Sequence, residues 1–540
     1  MTDPDYARLE LYMRPLLLLA TFATLLPAAD LAKPDFAREG DRWWSHIQVL
    51  ADDNMEGRNT GSPGHLRAAR FVAGEFEHAG LKPAGVNGYL QPVKFKVAQI
   101  DEAQSSLGIV RDRKVTPLKL GEDANLNLRE GLAQNTDAEL VFCGYGLAIL
   151  EHHFDDFAGL DLKGKIVVYL AGGPAGIPGN LRSHYSSRSE RWKAIRKAGA
   201  IGVVAVPNPK NMDIPWERST LARLNPTMAL DEASGTLGQQ FSANMNPAHA
   251  EQLFTASGHT FPELLALADE GKSLPHFPLH IRLRATEHVR LSEVESQNVI
   301  GMLPGSDPVL KNEYVVFGAH LDHLGVGAPI HGDRIYNGAM DDGSGIASLI
   351  EIADIAKLEN RRPRRSILFV AVTGEEKGLL GSQYFTSAPT VPLKNIVADI
   401  NMDMYLPLFP LKSLAVMGLE ESTLGADIRA MAAKAGVAVQ PDPEPQRNLF
   451  IRSDQYNFIR NGVPALTFKF GYEKGSPEEK LAKDWLRERY HAPSDDLSQP
   501  VNKPAAAEYN RIMLDLGMRV ADANTRPRWN SDSFFKRFEK

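Results

Sequence analysis

Cysteine is almost absent from this 540-residue chain, in which Cys143 stands alone. A single cysteine closes no intramolecular disulfide and builds no thiolate cluster, so any metal site must use imidazoles and carboxylates. Basic charge is not in excess either. Lys and Arg number 60 against 67 Asp and Glu, a net charge of −7, which leaves no general cationic field for nucleic acid. Internal repeats and low-complexity tracts are missing. The apolar stretch LLLLATFATLLPAA (16–29) is shorter than the roughly 20 residues a membrane-spanning helix needs. It follows Met13-Arg14-Pro15 and ends in small residues, the pattern of a signal peptide over residues 1–29 with cleavage near Ala28 or Ala29. The expectation is an exported, periplasmic or secreted protein with no stable membrane span after cleavage. The alternatives are an uncleaved N-terminal anchor and a true start at Met13.

What is present is enough apolar residue for a sizeable core, 43% of the chain, over a length that predicts more than one domain. The informative stretch is 314–405. YVVFGAHLDHLG (314–325) runs from an apolar strand into His320, Asp322 and His323. NGAMDDGSGIASLIEIADIA (337–356) places Asp341 and Asp342 just ahead of a helix opened by Gly343 to Gly345. RSILFVAVTGEEKGLLGS (365–382) is a buried-type strand ending in Glu375 and Glu376, and VADINMDMY (397–405) is another, with Asp403 near its end. In an open α/β sheet, ligands bind beyond the carboxyl ends of the strands. Four strand ends that each deliver an imidazole or carboxylate therefore predict one shared site. ERYHAPSDD (488–496) adds His491.

His320, Asp341, Glu376, Asp403 and His491 make two histidines and three carboxylates, a set suited to two divalent ions that share a bridging carboxylate. Glu375 stands beside a ligand without being one, and a carboxylate in that position can take a proton from water.

GAHLDHLG, GAMDDGSGIA, VTGEEKGLLGS, NMDMY and RYHAPSDD, in that order, resemble the motifs of the M28 family of co-catalytic zinc peptidases. The resemblance covers residues from about 43 to 523. It implies two zinc ions, with Asp341 rather than Asp342 bridging them. His320, Asp341 and Asp403 would hold one ion; Asp341, Glu376 and His491 the other. It implies Glu375 as the general base and Asp322 as the carboxylate that orients His320. The fold implied is α/β, with a mixed, mostly parallel sheet flanked by helices, and peptides are the implied substrates. An aminopeptidase tyrosine that steadies the oxyanion falls at Phe450 here, leaving Tyr490 as its substitute.

Residues 138–288 change rhythm: AELVFCGYGL, KIVVYLAGG and RSERWKAIRKAGAIGVVAVPNP read as strand, strand, helix, strand. This resembles a β-rich protease-associated (PA) domain inserted over 136–288 between two parts of the peptidase domain, 30–135 and 289–540. Residues 212–275 read as further strands plus an excursion over the active site. GRNTGSPG and the helix after it (65–78) resemble the opening of M28 peptidases and read as core packing without chemistry. His323 and His331 read as structural or as supports behind the ligands, and Arg452 as a partner of Asp454 or, alternatively, of a substrate carboxylate.

Release of N-terminal residues is the activity expected. The competing readings are a carboxypeptidase, a glutaminyl cyclase-like transferase and a receptor-like binding module. Metal content separates the classes: two ions per chain for the peptidase, one for the cyclase, none for the module.

Overall fold

Three of the continuous apolar runs lie side by side at the middle of one sheet. The computed structural model describes residues 34–128, 133–230 and 237–539; the expected signal segment and the alternative start lie outside these. Strands Tyr314–His320, Ser366–Val372, Ile396–Asn401 and Ala465–Phe470 run parallel, in the order 366–314–396–465. Their side chains are buried on both faces, as covered parallel strands require. Antiparallel partners extend the sheet on either side: Val289–Leu303 and then Leu90–Ile100 beyond Ser366–Val372, and Ser413–Met417 beyond Ala465–Phe470.

Helices cover this sheet. Gly343–Leu358 is buried along nearly its whole length. Phe36–Leu50 and Lys503–Asp522 pack with it, and Trp43 donates its indole N–H to the Ser344 carbonyl at 3.1 Å. Pro63–His78 carries the expected apolar face, with Ala69, Val72 and Phe76 buried. Its N-terminus is capped by Ser62, which accepts from the His65 N–H. The charged segment before His491 forms the helix Pro477–Glu488, buried at Ala482 and Trp485.

A second, eight-stranded sheet lies between the two parts of the first. It includes Asn135–Cys143, Ile166–Leu170 and Gly202–Val206, all mutually parallel, with the helix Arg188–Lys197 between the last two. It also takes Ser106–Arg111, Lys114–Leu118 and Ala124–Leu126, so the inserted sheet begins well before the boundary at 136 read from the sequence. Those early strands are short, and what ties them to the sheet lies more than 100 residues downstream: Ser106–Arg111 pairs with His276–Thr286 and Ala124–Leu126 with Phe241–Met245. The excursion after Gly202–Val206 returns a strand, Thr227–Ala229, to the first sheet, where it pairs with Leu90–Ile100.

Candidate metal centre

His320 is the last residue of its strand, in register with Val372. Glu375 and Glu376 follow Val372 by three and four residues, and Asp403 follows the end of its strand by two. Parallel neighbours end on the same edge, so these side chains converge. Asp341 reaches the same edge from the turn before Gly343–Leu358, and His491 from the turn after Pro477–Glu488.

The convergence is tight. His320 Nε2 lies 3.2 Å from Asp341 Oδ1 and 3.8 Å from Asp403 Oδ1. His491 Nε2 lies 3.3 Å from both Asp341 Oδ2 and Glu376 Oε2. Asp341 thus gives one oxygen to each cluster. With nitrogen and oxygen ligands about 2.0–2.2 Å from zinc, neighbouring donors of a tetrahedron stand about 3.3 Å apart, so these spacings fit ions held between them. Asp341 Oδ2 and Glu376 Oε1 are buried with no hydrogen-bond donor. Electrostatics agree. Burial opposes charge on both imidazoles, yet the carboxylates overcome it: His320 is lifted well above the usual imidazole range, chiefly by Glu375, and His491 to about 10, chiefly by Glu376. The cluster calls for positive charge.

Glu375 is half-buried and lines the cavity that His320, Asp341, Asp403 and His491 also line. Burial pushes its carboxyl well above the ordinary range, and its neighbours Asp403 and Asp454 push the same way against His320. Tyr490 lines the same cavity, its ring 4.0 Å from that of His491. Phe450 is buried in a separate apolar cluster.

Asp342 caps the helix through the Gly345 N–H at 2.9 Å and also accepts from the His320 N–H at 3.1 Å and the Met404 N–H at 3.0 Å. One buried carboxylate therefore fixes three ligand-bearing segments. The expected role of Asp322 needs correction. His320 Nδ1 lies 3.0 Å from the backbone carbonyl of Asp322, not its carboxylate. The carboxylate instead accepts from Thr60 Oγ1 at 2.8 Å and from the Glu375 N–H at 3.1 Å.

The GRNTGSPG segment (57–64), read as packing, supports the centre. The fully buried Arg58 guanidinium donates to the carbonyls of Leu50, Leu321, Asn337 and Gly338 at 2.6–2.9 Å. Asp495 accepts from the N–H groups of Met340 and Asp341 at 2.9 and 3.0 Å. Sequence reasoning missed Arg58, Thr60 and Asp495, although GRNTG and PSDD contain them. His331 is exposed and belongs to neither donor cluster. Arg452 pairs with Asp213 at 2.7 Å rather than with Asp454, which accepts from Ser382 Oγ at 2.5 Å. Arg447 holds the other oxygen of Asp213 at 2.9 Å.

Residues 298–517 match the model of peptidase family M28. An aminopeptidase NAALADL1 of Mus musculus is 36% identical over 133 residues, 24% of this chain and 16% of that protein. A probable leucine aminopeptidase 2 of Aspergillus fumigatus is 30% identical over 223 residues, 38% of this chain and 41% of that protein. The chain thus spans less than half the length of these curated relatives. Among solved structures, the aminopeptidase from Aneurinibacillus sp. strain AM-1 shares the fold, with a TM-score of 0.53 at 19% identity over 92% of this chain and 96% of that one.

Proposed function

From the match of residues 298–517 to the model of peptidase family M28, we propose that this protein is a zinc-dependent exopeptidase that releases N-terminal residues from peptides. The observation that carries this reading is the meeting of five donor side chains with an uncommitted Glu375 at the carboxyl edge of one sheet. His320, Asp341 and Asp403 would hold one ion, and Asp341, Glu376 and His491 a second. When bound, such a pair supplies Lewis acidity and lowers the pKa of water toward neutrality.

Glu375 takes the proton of the attacking water and returns it to the leaving amine. Burial suits it to both steps, because a carboxyl with a raised pKa holds a proton more readily than one in open water. The Asp322 carboxylate keeps its backbone in place. The Tyr490 hydroxyl steadies the oxyanion. Met404, Leu406, Phe409, Leu449 and Phe470 line the cavity and suit an apolar side chain.

The lining cations favour aminopeptidase over carboxypeptidase action. Arg447 and Arg452 are both engaged by Asp213, and Lys469 Nζ donates to the carbonyls of Asp403 and Met404 at 3.0 and 2.7 Å. Each of the three already has a partner, which weakens its pull on a terminal carboxylate. The inserted sheet acts as a PA-like module that shapes access. Asp213 belongs to its excursion, as does Arg218, which donates to the carbonyls of Leu486 and Arg487 at 3.0 and 2.6 Å. Residues 16–29 direct export.

Mass spectrometry of a mixed peptide set incubated with the zinc-loaded protein tests this. Stepwise loss from the N-terminus is expected, with apolar residues lost fastest. Loss from the C-terminus overturns the specificity and keeps the site; no trimming with metal bound overturns the peptidase reading.

A further inference from the structure

The helix Arg188–Lys197 covers only part of one face of the inserted sheet. Trp192 and Ile195 bury there against Val141, Val167 and Val203. The next strand, Phe241–Met245, runs parallel to Gly202–Val206, with Ser242 in register with Val203 and Asn244 with Ala205. In-register neighbours point to the same face. This strand therefore turns Ser242 and Asn244 toward the helix side, where packing would call for apolar residues. A cavity of about 300 Å³ lies there, within the roughly 300–1,000 Å³ of small-molecule sites. It shares no lining residue with the cavity of the metal centre.

Among the described residues two arginines line this cavity and no carboxylate does. Arg191 is only 9% exposed, with its Cζ 4.3 Å from the centroid of the Tyr169 ring. Its Nη1 donates to the Ser186 carbonyl at 2.9 Å, the guanidinium's one hydrogen bond among the described residues, and Nε is buried with no acceptor. The Nε–Nη2 edge is thus open, and that edge is a two-donor fork matched to a carboxylate. The carboxylate whose charge Arg191 feels, Asp156, accepts instead from the N–H groups of Tyr145 and Leu147 at 2.9 and 3.1 Å. Arg188 is exposed, and its guanidinium has no hydrogen bond or ion pair with any described residue. Gln239, also in the lining, is 3% exposed, yet its amide oxygen has no donor. A fork without an anion and a buried acceptor without a donor are needs that the protein by itself leaves unmet.

We propose that this cavity binds a small carboxylate that also carries an N–H, the chemistry shared by a free amino acid and by the C-terminal residue of a peptide. The carboxylate sits on the Arg191 fork with Arg188 beside it, the N–H is donated to Gln239 Oε1, and Trp192 and Val203 give an apolar side chain its wall. The site is separate from the metal centre, and its occupancy does not depend on what that centre catalyses.

The test is calorimetric titration of the zinc-loaded, full-length protein with N-acetyl-leucine, which has both groups. N-acetylleucinamide lacks the carboxylate and 4-methylpentanoate lacks the N–H; each is expected to bind at least about tenfold more weakly, the worth of one charge-assisted or well-buried hydrogen bond. Arg191→Gln is expected to weaken N-acetyl-leucine by about 10–100-fold, and Arg191→Lys, which keeps the charge without the fork, by less. Arg188→Gln changes an exposed side chain, so it keeps the test open should Arg191→Gln fail to fold; a loss of roughly 2–5-fold is expected. Affinity unchanged in both arginine variants, or an amide that binds as tightly as the acid, would overturn the proposal. So would inorganic phosphate binding as tightly as N-acetyl-leucine with the same dependence on Arg191, which would make this a general anion site. The acetylated tripeptide alanyl-alanyl-leucine separates the two sources: affinity equal to that of N-acetyl-leucine identifies a peptide end, and exclusion identifies a free amino acid.

Discussion

The Asp322 carboxylate accepts the backbone N–H of Glu375 at 3.1 Å, joining the turn after one ligand to the base beside another. Its other oxygen takes the Thr60 hydroxyl, and the whole side chain is buried. Asp322→Ala is expected to lower kcat by about 10–100-fold, as loss of an outer partner does, with little change in KM. Asp322→Asn keeps an acceptor oxygen and should lose less. Steady-state kinetics on both variants decide this; equal losses would mean that charge, not the bond to Glu375, is what matters.

Removing the base itself should separate chemistry from metal binding. Glu375→Gln is expected to lose about 10²–10⁴-fold in rate while retaining the metal content of the wild type, because Glu375 lies outside both donor clusters. Elemental analysis beside the activity assay checks both halves.

Arg58 supports the centre from below. Arg58→Met fills similar space but takes a donor from four carbonyls, of which Gly338 alone keeps a second, the Gly343 N–H. A loss of at least about 3 kcal/mol is expected in urea unfolding of the metal-free protein. A change below about 1 kcal/mol would mean that water replaces the guanidinium.

Asp213 keeps two cavity arginines occupied. In Asp213→Ala Arg452 is released while Arg447 keeps Glu444 at 3.0 Å, and KM for peptides with an additional carboxylate is expected to fall about tenfold, the worth of one charge-assisted hydrogen bond. Apolar peptides should be little affected. Comparing the two substrate classes on the variant provides the check.

Glu287 joins the inserted sheet to the strand Val289–Leu303, with both carboxylate oxygens buried and unpartnered. Burial pushes its carboxyl from 4.5 to about 8. Between those values the folded protein keeps a proton that the unfolded chain has released, so stability falls as pH rises through this window and the full cost is present above about pH 8. Glu287→Gln should flatten that slope and be more stable by a few kcal/mol at the alkaline end. Unfolding curves for both proteins across the window would show parallel pH profiles if the expectation is wrong.

Much of the centre was legible because it depends on chain-local facts. Apolar runs such as 314–319 and 366–372 are buried parallel strands, and donors placed just after them must gather at one edge. The helix boundary at Gly343 follows from a cap that the sequence writes out, since Asp342 accepts from Gly345. Residue type alone limited the metal chemistry to imidazole and carboxylate, since Cys143 is alone and buried.

Tertiary structure decided what depends on direction and on distant partners. Asp322 and His320 are neighbours in sequence, but which oxygen meets the ring is set by the turn between them. His323 looks like any histidine in a loop until Gly338 makes room for it and Arg58 holds its backbone. Sequence proximity pairs Arg452 with Asp454, two residues away, yet its partner lies 239 residues earlier, in the inserted excursion. Sequence proximity favours the local pair only when nothing else is within reach. Folding brings Asp213 over the cavity, and a carboxylate held by two guanidinium groups satisfies more charge than the local pair could.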